Sequence, residues 1–265
     1  MRESADPLAY ARRHGELLER QLPGQVVGIY LVGSVALGDY RPGRSDIDTV
    51  TVLRRELNQA DNESLVHVHD ALSARARENA PAYDTTYVPL SWLTKAPDPD
   101  AVTPFSLDGR LRLGEAAPQL VPVTWLELTR SVAVLGPDPK ELDVFLDDVG
   151  LRSWTVGNLR GYWAKTAAEA RAAVHSRPVD APARGDGVTW LVLGAPRLHA
   201  TLATGELISK STAGEYAAQQ WPHFAELARR CVDWRHGRDV RFTTKDALAA
   251  ADLVDEIVAS AAATG

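Results

Sequence analysis

The chain has 265 residues, 45% of them apolar and 24% charged, with a net charge of −6. That length suits one large or two modest domains, and the acidic balance speaks against a broad nucleic-acid-binding surface and fits a small cationic substrate. The single cysteine, Cys231, rules out a disulfide within the chain and fits a reducing cytoplasm. No Cys/His set suggests zinc. No apolar run approaches the length of a membrane-spanning helix, and Met1–Pro7 lacks the apolar core of a signal peptide. The expectation is a cytoplasmic protein with neither nucleic acid nor membrane as partner.

Leu8 to Leu22 carries apolar residues at helical spacing, and Pro23-Gly24 stops it. Val26–Val32 is continuously apolar and reads as a buried strand. Gly33-Ser34 opens a turn or short helix that runs into the loop Gly38–Ser45. Ile47–Leu53 is the next strand, Asn58–Asn79 a helix, and Tyr83–Leu90 a third strand with Asp84 near its start. Residues 94–122 are rich in Pro, Asp and Gly, with a hairpin around Leu107–Leu113. Short helices are expected over Val123–Val134 and Pro137–Val149, and a long one over Ser153–Ser176. Pro178–Gly187 is a linker-like break. Val188–Thr204 is a strongly apolar helix with Gly205 as its C′ residue, and Thr212-x-x-Glu215 offers a capping box to the next. Helices over His223–His236 and Thr244–Ala262 complete an all-helical half. The fold class is therefore α/β (α+β) with a mixed sheet over residues 1–150, then an all-helical domain over 151–265. Trp154, Trp163 and Trp190 read as helical core, with stacking on adenine or a sugar ring as the other use for one of them. His67 and His69 read as surface or half-buried positions on their helix.

The chemistry gathers around Gly33-Ser34 and Asp46-Ile47-Asp48. Residues two apart on a strand point to the same side, so both carboxylates lean into one space at a strand end. Two adjacent like charges are costly unless a cation sits between them. Mg²⁺ takes hard oxygen ligands and is held by one or two carboxylates together with substrate phosphates. Gly33 lets backbone approach phosphate oxygens, and Ser34 adds a donor near the start of the following helix. Two metals about 3.5–4 Å apart can clamp the attacking and leaving oxygens of a displacement. Asp46 and Asp48 are the candidate ligands. Asp84 is the candidate third carboxylate, as metal ligand or as general base for an acceptor hydroxyl.

Gly33-Ser34-x11-Asp46-x-Asp48 resembles the signature of the polymerase-β-like nucleotidyltransferase superfamily. The likeness extends through Leu31–Ser34, Ser45–Asp48, Arg130–Pro137, Ala195-Pro196-Arg197, Thr204–Lys210 and Ala217, and with these the chain resembles the aminoglycoside (3″)(9) adenylyltransferase family. In that family a nucleotidyltransferase domain precedes a helical domain, and ATP and the drug bind between them. The resemblance implies Mg²⁺ on Asp46 and Asp48, and triphosphate contacts from Ser34, with Ser45 nearby. It also implies ATP contacts from Arg197 and Lys210, and transfer of AMP to a drug hydroxyl with release of pyrophosphate. Asp84 falls where the family has a catalytic glutamate. It is one methylene shorter, so the acceptor must come deeper or be reached through water. The family's drug-contacting Trp and acidic residues have no counterpart in register; the stretch before Arg197 holds Asp180, Asp186 and Trp190 at other spacings. The acceptor expected is a small hydroxylated molecule, an aminoglycoside or aminocyclitol, with another natural-product sugar or nucleoside as the alternative. A regulator of antitoxin type acting on a protein and a nucleotide-binding pseudoenzyme are the readings from other classes. The expected assembly is a monomer or homodimer.

Overall fold

Asp6 opens the first helix by accepting the N–H of Leu8 on its side chain, with Pro7 in the first helical position where no N–H is needed. The computed structural model describes residues 6–74 and 80–263. The chain divides into two units, Met1–Asp147 and Asp148–Gly265.

In the first unit, helix α1 (Pro7–Gln21) leads to strand β1 (Val26–Leu31), the single turn α2 (Gly33–Ala36) and strand β2 (Ile47–Leu53). Helix α3 (Gln59–Ser73) follows, started by a capping box in which Asn58 and Asp61 each bind the other's backbone N–H. Its expected continuation to Asn79 runs into residues 75–79, which lie outside the described residues, as do Met1–Ala5. Strand β3 (Tyr83–Pro89), the short helix α4 (Leu90–Leu93), the hairpin β4 (Phe105–Leu107) and β5 (Arg110–Arg112), helix α5 (Pro122–Thr129) and strand β6 (Val132–Leu135) complete the unit.

The six strands form one sheet in the order β5-β4-β3-β2-β1-β6. Only β2 and β3 run parallel, because α3 carries the chain back between them; the other neighbours are antiparallel, so the sheet is mixed. Side chains alternate between its faces. Ile29, Leu31, Ile47, Tyr83 and Tyr87 pack with Ala11, Leu17 and Leu18 of α1 and Leu65 and Val68 of α3. Tyr30, Val32, Val50, Val52 and Val88 pack with Leu93, Leu120, Trp125 and Leu128.

The first core contains a polar network. His14 of α1 meets the Tyr83 hydroxyl through Nδ1 at 3.0 Å and the Tyr87 hydroxyl through Nε2 at 2.7 Å, and His69 Nε2 reaches the same Tyr87 hydroxyl at 2.8 Å. Either direction of proton relay satisfies it with both rings neutral: His69 to Tyr87 to His14 to Tyr83, or the reverse. Burial pushes both histidines down, His14 well below its ordinary range and His69 to about 4. His69 is thus a core residue, unlike exposed His67, and not the half-buried helix position expected.

The second unit comprises α6 (Asp148–Asn158), a π-helical turn over Leu159–Trp163, α7 (Ala164–Val174), strand β7 (Pro182–Ala183), α8 (Gly185–Thr204), α9 (Lys210–Gln220), a 3₁₀ turn over Pro222–Phe224, α10 (Ala225–Arg235), strand β8 (Phe242–Thr243) and α11 (Thr244–Ala263). Leu159, Trp163, Val192, Leu193, Leu253, Val254 and Ile257 lie in its core. The helix α8 ends on Gly205 in the left-handed conformation, φ +71°, as expected of a C′ glycine. Cys231 is buried, and that burial pushes its thiol up to about 12. No described helix is long and apolar enough to cross a membrane.

Several expectations need correction. Val123–Val134 is not one helix: it stops at Thr129, and Val132–Leu135 pairs with β1 at the sheet edge. Pro137–Val149 is not one helix: it holds a single 3₁₀ turn over Pro139–Glu141, then irregular chain in which Phe145 N–H donates to the Leu93 carbonyl, and only its last two residues are helical, at the start of α6. The helix expected from Ser153 starts at Asp148 and is interrupted by the π turn. The cap of α9 is Ser209, whose hydroxyl accepts the Thr212 N–H at 3.1 Å, so the helix begins before the box expected at Thr212. The supposed linker contains β7, paired with β8, a two-residue ladder in an otherwise helical unit.

Candidate active site

Strand β1 ends where Val32 N–H donates to the Asp48 carbonyl at 2.9 Å, which fixes the Gly-Ser turn against the start of β2. Gly33 then takes φ +55°, a conformation that suits glycine. A Cβ on it would stand 2.9 Å from Asp48 Oδ2, so the Asp48 carboxylate lies directly against the glycine. The next side chain, Ser34, has its Oγ buried with no hydrogen-bond partner among the described residues. A buried hydroxyl in that condition is uncommon and calls for a ligand or another explanation.

Asp48 and Asp84 are directly opposed across the parallel pair β2–β3, and so project from the same face of the sheet. Asp84 is buried, and each of its oxygens is taken by the β4–β5 turn: Asp108 N–H donates to Oδ2 at 3.1 Å and Gly109 N–H to Oδ1 at 2.8 Å. Burial raises its pKa, the two N–H groups oppose that rise, and the charges of Asp46 and Asp108 add to it. Asp46 precedes β2 and is exposed. Ser45 is buried beside it; its Oγ accepts the Arg41 N–H at 3.1 Å, closing the turn that delivers Asp46 to the strand.

The structure thus places Gly33, Ser34, Asp48 and Asp84 together, with Asp46 at the edge. It does not draw the three carboxylates into a ready-made cage: among the described residues no group of three or more His, Cys, Asp or Glu side chains is arranged to hold a metal ion. The reason is visible at Asp84, whose oxygens are turned to the hairpin N–H groups. A Mg²⁺ ion does not require such a cage, since one or two carboxylates complete its shell together with phosphates and water. Asp46 and Asp48 fit that demand, and the unpartnered Ser34 Oγ fits a polar ligand beside them.

Arg197 and Lys210 belong to the second unit. Arg197 is half-buried on α8 and its Nε donates to the Ile208 carbonyl at 3.0 Å, which pins the loop leading to Lys210 in the first turn of α9. Lys210 Nζ lies 4.9 Å from the ring centroid of Trp190. Trp190 stacks on buried Trp163 with centroids 5.5 Å apart, and it is 42% exposed where helical core was expected. The sequence reading also missed the Asp108–Gly109 clamp on Asp84; the Asp-Gly pair signals a tight hairpin, but nothing local says what its N–H groups will bind.

Residues 12–103 match the family model of the nucleotidyltransferase domain. That segment contains Gly33, Ser34, Ser45, Asp46, Asp48 and Asp84, and it defines the class of the first unit: residues 12–103 match a nucleotidyltransferase domain. Among solved structures the chain is similar to the spectinomycin adenyltransferase AAD(9) from Enterococcus faecialis, whose crystal structure contains ATP and spectinomycin. The TM-score is 0.68 at 16% identity, over 95% of this chain and 98% of that one. The mixed sheet followed by a helical region is the fold the two share. No curated protein matches the chain by sequence.

Proposed function

We propose that the protein transfers AMP from ATP to a hydroxyl of an aminoglycoside or aminocyclitol, releasing pyrophosphate. The observation that carries this reading is the Asp48 carboxylate lying against Gly33, beside the unpartnered Ser34 hydroxyl and in register with Asp84. The acceptor class rests on the likeness to an adenyltransferase crystallised with spectinomycin and on the acidic chain.

Asp46 and Asp48 would hold Mg²⁺, which when bound supplies charge neutralisation at the α-phosphate and the departing pyrophosphate. Ser34 donates to a phosphate oxygen. Arg197 and Lys210 neutralise triphosphate charge. Asp84 takes the proton of the acceptor hydroxyl as its oxygen bonds to the α-phosphorus and the bond from that phosphorus to the β-phosphate's bridging oxygen breaks. Its two N–H partners leave each oxygen a lone pair with which to accept that proton. The expected setting is the cytoplasm, with no nucleic-acid or membrane partner and a monomeric or homodimeric enzyme.

Incubation with Mg²⁺, α-labelled ATP and a panel of aminoglycosides and aminocyclitols tests it. Label on a drug with matching pyrophosphate is the expected result. Asp46→Asn should abolish transfer while leaving thermal unfolding nearly unchanged; full activity in that variant contradicts the assignment. Pyrophosphate released with no drug labelled would redirect the acceptor to another sugar or nucleoside.

A further inference from the structure

We propose that the exposed part of the Trp190 ring is the stacking seat for the nucleobase of the triphosphate; this rests on the reading of Arg197 and Lys210 as triphosphate ligands. Trp190 stands out on α8 because Leu191–Pro196 after it are buried, while its indole is 42% exposed. It is also held from behind. Trp163 stacks on it at 5.5 Å with the ring planes 26° apart. Trp163 is itself buried, placed by the π turn Leu159–Trp163 and pressed against Gly194, where a Cβ would collide with its ring. π turns interrupting α-helices are frequent at functional sites. An indole so backed is a rigid platform with little conformational freedom to lose on binding.

The surroundings of the platform select its ligand. Trp190 and Arg197 are seven residues apart, two turns along one face of α8. Arg197 pins the Ile208 carbonyl, and two residues on, Lys210 sets its ammonium over the Trp190 ring. One patch of the second unit therefore offers a π-face and two cations. A purine triphosphate has the complementary parts, a flat π-system joined to a polyanion. The cation–π contact of Lys210 is weak at an exposed site, and a triphosphate is a far stronger partner for the ammonium. As Lys210 turns to the phosphates, the ring area it covered becomes available to the base.

The test measures binding to the full-length protein of two probes with Mg²⁺: α,β-methylene-ATP and inorganic tripolyphosphate. Trp190→Leu should weaken the nucleotide by about tenfold, the scale of base–aromatic stacking, and leave tripolyphosphate unchanged. Trp190→Phe should restore much of the loss, and Lys210→Met should weaken both probes. Equal nucleotide affinity in wild type and Trp190→Leu overturns the stacking seat alone. So does a Trp190→Leu variant that loses both probes equally, because Trp190 would then serve only to hold Lys210. Wild-type protein that binds neither probe overturns this inference and the proposed function together.

Discussion

Gly33 shows how one missing methyl group organises the site. The backbone there is left-handed, and a Cβ would stand only 2.9 Å from Asp48 Oδ2. The hydrogen bond from Val32 N–H to the Asp48 carbonyl ties the two strands together at this point, and glycine suits both the backbone conformation and the close carboxylate. Gly33→Ala must therefore strain the turn, push the carboxylate away, or do both. The left-handed backbone alone costs about 1–2 kcal/mol for an L-residue, which a shift of the urea midpoint at unchanged slope would register. A carboxylate displaced by an ångström is felt more in catalysis, where misplacement of that size costs on the order of a hundredfold. Pyrophosphate release should therefore fall by a larger factor than the stability loss explains. A variant that loses stability but keeps full activity would show that the Asp48 position is not critical.

The hairpin β4–β5 is the element that controls Asp84. Its turn residues Asp108 and Gly109 both have positive φ, 52° and 70°, and this geometry aims their two N–H groups at the carboxylate. The same turn brings the Asp108 charge near enough to raise the Asp84 pKa. Asp108→Asn removes that charge, keeps the N–H, and places in the turn a residue that tolerates the left-handed conformation. The Asp84 pKa must then fall. If Asp84 is the base, the acid limb of the pH–activity profile moves to lower pH, while maximal activity holds. An unmoved limb would exclude Asp84 as the group that sets it. The facing of Asp48 and Asp84 was legible in the sequence because each stands near the start of an apolar strand; Asp46, expected beside them, lies just before β2 and is exposed. The clamp was not legible, because it joins residues 24 and 25 apart in sequence through backbone atoms. Strand β6 was missed for a related reason. Val132–Leu135 is mostly exposed and carries no core-facing alternation, so only its pairing with β1 makes it a strand. The π turn was hidden because its residues keep a helical pattern on both sides.

At the scale of the whole molecule, the two units carry their buried histidines unequally. The first has His14 and His69 locked neutral between Tyr83 and Tyr87, both strongly desolvated. In the second, His199 bonds to Tyr216 and Ser260; it is half-buried, and its pKa is lowered too. An unfolded histidine titrates near 6.5, so below that pH the unfolded chain binds protons that the folded network refuses. The stability the network contributes is therefore complete above pH 6.5 and is lost as the pH falls towards about 4, the value for His69. A displacement of this size is worth about 3 kcal/mol by linkage. Acid should accordingly weaken the first unit before the second. Hydrogen exchange on the intact protein between pH 7 and 4.5, corrected for the intrinsic rate, should show β1–β3 losing protection ahead of α8 and α11. Tyr87→Phe sharpens the test. It removes the hydroxyl that both imidazoles use, at a cost of about 1–3 kcal/mol for the buried groups left unpaired, and its loss should fall on the strands of the first unit. Uniform loss of protection across both units in acid would mean that the network does not set the acid limit, and that the two units unfold as one.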